Sequence, residues 1–332
     1  MHYSPVLMHI PDGFLSLIVS IICWVASASI IGLAISKTNK ALGEKQIPLM
    51  GVMAAFIFAA QMINFPVAGG TSGHLLGGAL AAIVLGPWAG MLVMTSVIAV
   101  QALLFQDGGL VVMGANILNM GLLTAAVGYG LYRSASTQSN NVKLGIAGVA
   151  AWLSVMTGAL LTSLELWLSG TSDLQVVIPA MLGVHALIGL GEALITVSAL
   201  AFILRTRPDL LGKDSESAKA SRGWVFVGGL ITLVVVLFSP LASADPDGLE
   251  RVATDMGFIN AGQSAPYSII PDYTLPFLGE TAFSTIAAGV IGVIVVGVVV
   301  MLVGRGMKAK AGLDTPSKSI RATRPPIENR KS

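Results

Sequence analysis

Nine long apolar segments dominate this chain, and they restrict it to a fold that spans a membrane. Only 11% of its 332 residues are charged, whereas 54% are hydrophobic, and the mean hydropathy is +0.81. A soluble domain carries about 25% charged residues, and a run of about 20 apolar residues can cross a bilayer as one helix. The sequence therefore predicts an all-α integral membrane protein. We expect about nine transmembrane helices, at residues 14–35, 47–63, 74–86, 88–105, 111–132, 144–168, 176–204, 224–243 and 283–303.

The basic residues predict the orientation of these spans. If residues 1–13 lie outside the cell, every Lys and Arg except Arg251 falls in an inner loop or in the C-terminal tail. Cytoplasmic segments of membrane proteins are enriched in Lys and Arg. We therefore expect a multi-pass protein of the plasma (inner) membrane, with its N-terminus outside and its C-terminus in the cytoplasm.

Polar stretches divide the chain into a seven-helix bundle and a two-helix unit. A stretch of mixed charge between them is typical of a linker. The tail is basic and rich in Pro and Ser, so we expect it to be disordered and to lie near the anionic lipid of the inner leaflet. The predicted units are an N-terminal extension at 1–7, a seven-span domain at 8–205, a cytoplasmic linker at 206–222, a two-span domain at 223–304 with an outer loop at 244–282, and the tail at 305–332.

The segment in front of the first span carries a candidate metal chelator. Met8 and His9 are followed by a Pro-Asp-Gly turn and then by apolar residues. A His that directly follows a residue with a free amine offers three nitrogens, from the amine, from its own amide and from its imidazole. These nitrogens can close two fused rings around one ion, and square-planar nitrogen coordination suits Ni(II) and Cu(II).

Two further histidines are predicted to lie in the same outer half of the bundle. His74 follows the Gly-rich stretch 69–73 at the expected start of the third span, and His185 lies about nine residues into the seventh. Ionisable side chains at membrane depth are costly and are candidates for function. Together, His9 and His74 favour metal ligation. For each His alone, a hydrogen bond to a helix carbonyl is the alternative interpretation.

Several other polar residues are candidates for orienting ligands or lining an ion path. They are Asp12, Gln101, Asn116, Asn119, His185 and Glu192. His185 and Glu192 are seven residues apart, so they share one helix face. Structural hydrogen bonds between helices are the alternative for each of them. The turn at 106–109, which contains Asp107, is equally consistent with a solvated carboxylate and with a site role.

Small residues in the first span recur at intervals of four. They are Ala28, Gly32 and Ser36, and this spacing allows another helix to approach closely. Contact with another membrane subunit and packing within this chain are both open.

Several classes of function find no support. No G-x-x-x-x-G-K-[ST] run occurs, so the chain has no P-loop ATPase site of its own, and no H-E-x-x-H motif indicates a zinc protease. Cys23 is the only cysteine, which excludes a disulfide framework. No resident cofactor and no nucleic-acid partner are expected. Ser72 in a Gly-Thr-Ser-Gly string, with His185, resembles the Ser/His pair of rhomboid-type proteases, but this leaves Met8 and His9 unexplained.

Longer motifs resemble one transporter family. Residues 8–14 look like the N-terminal signature of the CbiM/NikM family, the substrate-binding membrane components of cobalt and nickel energy-coupling-factor transporters. Residues 73–78, 85–90 and 101–120 also resemble that family. Pro246-Asp247-Gly248-Leu249-Glu250 is the mark of its small partner component, here fused in the same chain.

The resemblance implies a function and a ligand set. It implies capture of Ni²⁺ or Co²⁺ from outside for ATP-driven uptake, together with a transmembrane coupling subunit and two cytoplasmic ATPases. A channel or a secondary metal transporter is the alternative. The implied ligands are the amine of Met8, the amide nitrogen and imidazole of His9, and His74. Because residues 1–7 precede Met8, our hypothesis is that Met8 is the functional terminus. Otherwise the amine ligand is absent.

Overall fold

A computed structural model of the chain describes residues 9–41, 43, 46–211 and 223–313. The N-terminal extension, Met8, most of the predicted linker and residues 314–332 of the predicted tail lie outside the described residues.

The protein is built almost entirely of helices. The helices are α1 Leu17–Ala41, α2 Gln46–Gln61, α3 Gly78–Leu85, α4 Pro87–Val100, α5 Met113–Asn116, α6 Thr124–Arg133, α7 Asn140–Leu168, α8 Leu174–Thr206, α9 Gly223–Phe238, α10 Gly248–Asp255 and α11 Ala282–Leu313. Wider π-helical turns extend α4 through Gln101–Phe105 and join α5 to α6 through Ile117–Leu123. The fold class predicted from the sequence is thus confirmed.

Within the described residues, an apolar helix lies at each of the nine predicted spans. Six helical segments are individually long and apolar enough to cross a bilayer: 17–39, 87–105, 140–168, 174–206, 223–241 and 282–308. The third span is short. At 1.5 Å per residue, its eight residues cover about 12 Å, far less than a hydrocarbon core of about 30 Å. It packs between α4 and α6, which cover it.

The third span starts later than the sequence predicts. Its helix begins at Gly78 rather than at residue 74, so His74 lies in an extended segment before it. That segment continues a short hairpin of β1 (Phe65–Val67) and β2 (Thr71–Gly73), which was not predicted. Gly69, Gly70 and Gly77 all have positive φ angles of 84°, 68° and 82°. Glycine adopts such backbone conformations without the cost that other residues meet.

The two-span unit packs on the seven-span bundle through α2. Helices α9 and α11 both lie along α2, and α11 also contacts α4. A side chain at Gly292 would collide with Phe58 of α2, so the close approach of α11 requires glycine there. Helix α11 continues to Leu313. The tail was predicted to be disordered from residue 305. Its first nine residues, 305–313, are instead helical and extend this apolar helix.

Five segments that precede or connect the long helices lie at one end of the bundle, which we call the head end. It comprises residues 9–16, 62–77, 106–112, 169–173 and 239–281. A separate apolar cluster lies here, in which Phe14 and Phe258 stack edge to face with ring centroids 5.1 Å apart. The predicted outer loop of the two-span unit, 244–282, contributes Phe258 and the short helix α10. The N-terminal segment is thus held between both units.

Candidate metal centre

The segment 9–14, which we call the head segment, is inserted into the bundle. His9, Ile10 and Phe14 are buried. The side chain of Asn116 pairs with the backbone of Ile10: Oδ1 accepts from its N–H and Nδ2 donates to its carbonyl, both at 3.0 Å. The N–H of Gly109 donates to the same carbonyl at 2.9 Å. Hydrogen bonds to both backbone groups of Ile10 therefore fasten the head segment in the bundle.

Asp12 fastens the other half of the head segment. Its carboxylate accepts hydrogen bonds from the N–H groups of Leu110, Val111 and Val112, at 3.0, 2.9 and 3.1 Å. Gly13 completes the turn with φ of +90°, and a side chain there would collide with the carbonyl of Ala261. The predicted Pro-Asp-Gly turn thus fixes where the chain enters the bundle.

These contacts bring two imidazoles together. The ring centroids of His9 and His74 are 5.5 Å apart, and the ring planes meet at 76°. The two residues are only 2% and 7% exposed. Both line a cavity of about 60 Å³, which His185, Asn116 and Asn119 also line. The sequence prediction that His9 and His74 approach each other fits this arrangement.

The imidazole nitrogens have different surroundings. Nδ1 of His74 hydrogen-bonds to the carbonyl of Leu75 at 3.0 Å, which requires a proton on Nδ1 and leaves the lone pair on Nε2. Nδ1 of His9 lies 3.1 Å from the carbonyl oxygen of Asp107 and 3.3 Å from its carboxylate Oδ1. Nε2 of His9 is buried and has no hydrogen-bond partner among the residues that the structure describes.

Glu192 holds the extended segment that carries His74. Its two carboxylate oxygens accept from the N–H groups of Leu76 and Gly77, at 2.6 and 2.8 Å. Gln61 donates to the carbonyl of Leu76 at 2.8 Å. These backbone groups would otherwise be buried without partners, which is costly. Glu192 therefore orients His74 through the backbone.

Gln101 is linked to His9 through a chain of contacts that runs over Tyr273 and Asp107. Its Nε2 donates to the hydroxyl of Tyr273 at 3.1 Å, and that hydroxyl donates to Asp107 at 2.6 Å. Asp107, only 3% exposed, faces His9. Burial raises the pKa of Tyr273 well above its usual value, and the Asp107 carboxylate acts in the same direction. Sequence reasoning left the role of Asp107 open and did not find Tyr273, which lies in the distant outer loop.

Asn119 and His185 line the deeper part of the cavity. Asn119 donates to the hydroxyl of Thr162 at 3.1 Å and to the carboxylate of Glu165 at 2.7 Å. Nδ1 of His185 bonds to the carbonyl of Met181, one turn earlier, at 2.8 Å. Both residues therefore combine a structural hydrogen bond with a place in the cavity wall.

Asp247 also enters the cavity, and sequence reasoning did not find it. It is the Asp of the Pro-Asp-Gly-Leu-Glu string, interpreted from sequence as a turn and as the mark of the small partner component. Its Oδ2 lies 4.0 Å from Nε2 of His74. Burial raises the pKa of Asp247 well above its usual value, and the charges of Glu250 and Asp107 add to this effect. The Pro-Asp-Gly-Leu-Glu string was the only signal that could have pointed to it.

No three side chains of His, Cys, Asp or Glu are arranged to hold an ion among the residues described. Side chains alone therefore do not form the predicted ligand set. It needs backbone nitrogen, which the predicted chelate includes, and Met8, which lies outside the described residues.

The protease alternative lacks the geometry it needs. The hydroxyl of Ser72 donates to the carbonyl of Asp245 at 2.7 Å, and Nδ1 of His185 bonds to Met181. A nucleophilic Ser hydroxyl donates to its general base instead.

The stripe of small residues on α1 faces away from the other residues that the structure describes. Ala28, Gly32 and Ser36 are all exposed, and a side chain at Gly32 would meet nothing within 4 Å. The stripe therefore takes no part in packing among the described residues, and contact with another membrane subunit stays a prediction.

We expect Asn116→Ala to release the head segment. The change leaves the buried N–H of Ile10 without a partner, and such a group costs about 1–3 kcal/mol. Amide hydrogen exchange at residues 9–14 is expected to become about 10-fold faster or more, since about 1.4 kcal/mol is a factor of ten. Asn141→Ala on an exposed face is the control and is expected to leave this exchange unchanged. Equal protection in both variants would contradict the role of Asn116.

Comparison with known families covers most of the chain. The model of the CbiM family, described as the cobalt uptake substrate-specific transmembrane region, matches residues 9–210. The PDGLE domain matches residues 222–309. These two matches divide the chain close to the linker that the sequence predicts.

Relatives include proteins of the same fused organisation. A putative fused nickel transport protein NikMN of Archaeoglobus fulgidus is 36% identical over 296 residues, which cover 87% of this chain and 95% of the relative. A putative metal transport protein of Haloquadratum walsbyi is 41% identical over 64% of this chain and 98% of its own length. A cobalt transport protein CbiM of Sorangium cellulosum is 36% identical over 50% and 76%.

A solved structure shares the fold of the larger unit. The crystal structure of a truncated transition metal transporter has a TM-score of 0.55 and is 35% identical. The match covers 60% of this chain and 99% of that one.

Proposed function

Because this chain belongs to the CbiM family of cobalt uptake substrate-specific transmembrane regions, continued by a PDGLE domain, we propose that it captures Ni²⁺ or Co²⁺ for an uptake transporter. The observation that carries the proposal is the buried pair of imidazoles, His9 and His74, in one cavity. Relatives named as nickel and as cobalt transport proteins support both ions.

The proposed ligands are the nitrogens of the head and of one later His. The amine of Met8, the amide nitrogen and imidazole of His9, and Nε2 of His74 hold the ion. Support comes from the hydrogen bond between Nδ1 of His74 and Leu75, since a metal-bound His donates its other ring N–H to a fixed acceptor. Glu192, Asn116 and Asp12 act as positioning residues, because they fasten the two segments that carry the ligands.

Loading the chelate involves a movement of His9. A six-membered ring through the amide nitrogen closes on Nδ1, and Nδ1 lies against Asp107 in the structure. The imidazole therefore exchanges its contact with Asp107 for the ion. The ion replaces protons on the amine and amide, so metal binding releases protons.

Energy for uptake comes from other subunits in this proposal. The described residues carry no P-loop motif, and the resemblance implies a transmembrane coupling subunit and two cytoplasmic ATPases. The exposed stripe Ala28, Gly32 and Ser36 is the proposed contact for the coupling subunit. Lipid surrounds the remaining apolar faces.

Transport assays in vesicles test this function. We expect vesicles that contain this protein with its coupling subunit and ATPases to accumulate radioactive nickel only when ATP is supplied. Vesicles with this protein alone are expected to bind nickel without accumulating it. Accumulation by the protein alone would favour the channel or secondary transporter instead. Absence of nickel binding in both preparations would contradict the proposal.

A further inference from the structure

A carboxylate of the two-span unit lies in the metal cavity of the seven-span unit. Oδ2 of Asp247 is 4.0 Å from Nε2 of His74. The side chain is only 3% exposed, and Asp247 lines the same cavity as His9 and His74. The cavity is thus formed by both units.

The two oxygens of Asp247 have different surroundings. Oδ1 accepts the N–H of Glu250 at 2.8 Å and so caps the start of α10. Asp is among the residues preferred at this position, because a side-chain oxygen satisfies an otherwise unpaired N–H group. The cap fixes the rotation of the side chain. Oδ2 is consequently directed towards His74.

The backbone around Asp247 is fastened next to His74. The N–H of Ser72 donates to the carbonyl of Pro246 at 2.8 Å, and its hydroxyl donates to Asp245 at 2.7 Å. Ser72 is two residues before His74, so these two hydrogen bonds hold the segment of Asp247 next to the imidazole. A side chain at Gly248 would lie 2.9 Å from His185 Cε1, which leaves room only for glycine.

Charge and distance suit a shared cation. Each imidazole of the pair has a carboxylate beside it, Asp107 for His9 and Asp247 for His74. Among the described residues, no Lys or Arg lines the cavity. Two donors that each lie about 2.1 Å from one ion are between about 3 and 4.2 Å apart, depending on their angle. The 4.0 Å between Oδ2 and Nε2 falls within that range.

We propose that Asp247 is an oxygen ligand of the bound ion, so that the two-span unit completes a coordination site that the seven-span unit begins. The inference rests on the proposed function, because it takes Ni²⁺ or Co²⁺ as the ion. The planar nitrogen set leaves an open side, which Oδ2 takes as a fifth donor. A donor at right angles to Nε2 lies about 3 Å from it, so Oδ2 moves about 1 Å closer to Nε2 than the 4.0 Å seen here when the ion binds. Asp247 then determines coordination number as well as affinity.

The test compares two charge-removing variants of the protein that starts at Met8, which is also the wild-type reference. Asp247→Asn keeps an oxygen for the cap of α10, since Asn caps helices about as well as Asp, but it removes the charged Oδ2. Asp255→Asn removes the same charge from the exposed end of the same helix. Asp247→Ser, which also retains a capping oxygen, serves as a second variant. Nickel affinity is measured by calorimetry and coordination by X-ray absorption at the nickel edge.

We expect wild type and Asp255→Asn to bind five-coordinate nickel with equal affinity. Asp247→Asn and Asp247→Ser are expected to bind nickel at least about 10-fold more weakly, a loss of about 1.4 kcal/mol or more, and to acquire the absorption signature of a four-coordinate, square-planar ion. A wild-type spectrum that is already square-planar, or identical spectra in wild type and both Asp247 variants, would overturn the inference.

These outcomes are separate from failure of the proposed function. If wild type binds no nickel, or if His74→Ala binds it as tightly as wild type, the proposed site itself is wrong. If binding depends on His74 and the Asp247 variants match wild type in spectrum and affinity, only the fifth ligand is wrong.

Discussion

His74→Ala is expected to abolish tight Ni²⁺ binding while the protein stays folded. A four-ligand site with an apparent binding free energy of about 10–16 kcal/mol gains about 2.5–4 kcal/mol per ligand. Loss of one ligand is thus expected to weaken nickel binding by about 100-fold to 1000-fold. The segment around residue 74 is held by Glu192 through the backbone of Leu76 and Gly77. Because those bonds do not involve the imidazole, the fold is expected to survive its removal.

Calorimetry of the purified variant, with thermal unfolding as the folding check, measures this effect. His185→Ala removes an imidazole from the same cavity but not from the proposed ligand set. We expect its nickel affinity to fall by far less than that of His74→Ala. Unchanged affinity in His74→Ala would count directly against the site.

An extension in front of Met8 is expected to weaken nickel binding by as much as His74→Ala does, or by more. The proposed chelate needs a free amine on Met8, because that amine closes one of the two fused rings. We expect a protein that starts at Met8 to bind nickel tightly. A protein with residues 1–7 retained is expected to bind it at least about 100-fold more weakly, as for loss of one ligand among four.

The N-terminus of the natural protein tests the same hypothesis. Sequencing the N-terminus of protein purified from its native membrane is expected to give Met8. The two engineered termini differ in the amine and share the rest of the site, so their comparison isolates it. Transport-active protein with an intact Met1 would refute this hypothesis.

The helices were predictable because their signals are local. Each apolar run stands between polar or glycine-rich stretches, and a helix is the form in which a lipid-facing segment satisfies its own backbone. Asp12 and Asn116 were found as candidates because polar side chains near the membrane are rare and stand out. The roles they take, pairing with Leu110 and Ile10, depend on residues about 100 positions away.

What the sequence missed depends on contacts between distant segments. His74 lies outside α3 because Glu192 and Gln61 satisfy the backbone that a helix would otherwise pair, and both partners belong to other helices. Asp247 and Tyr273 join the site only because the outer loop folds back over the head end. A turn motif alone does not reveal which cavity its carboxylate will enter.

Anomalous diffraction at the nickel edge, from crystals of the protein loaded with nickel, locates the bound ion. We expect one strong peak between the head segment and His74, about 2 Å from Nε2 of His74 and within bonding distance of the nitrogens of His9. A loaded structure with no peak in that cavity, or with the head segment withdrawn from the bundle and the ion bound elsewhere, would contradict it.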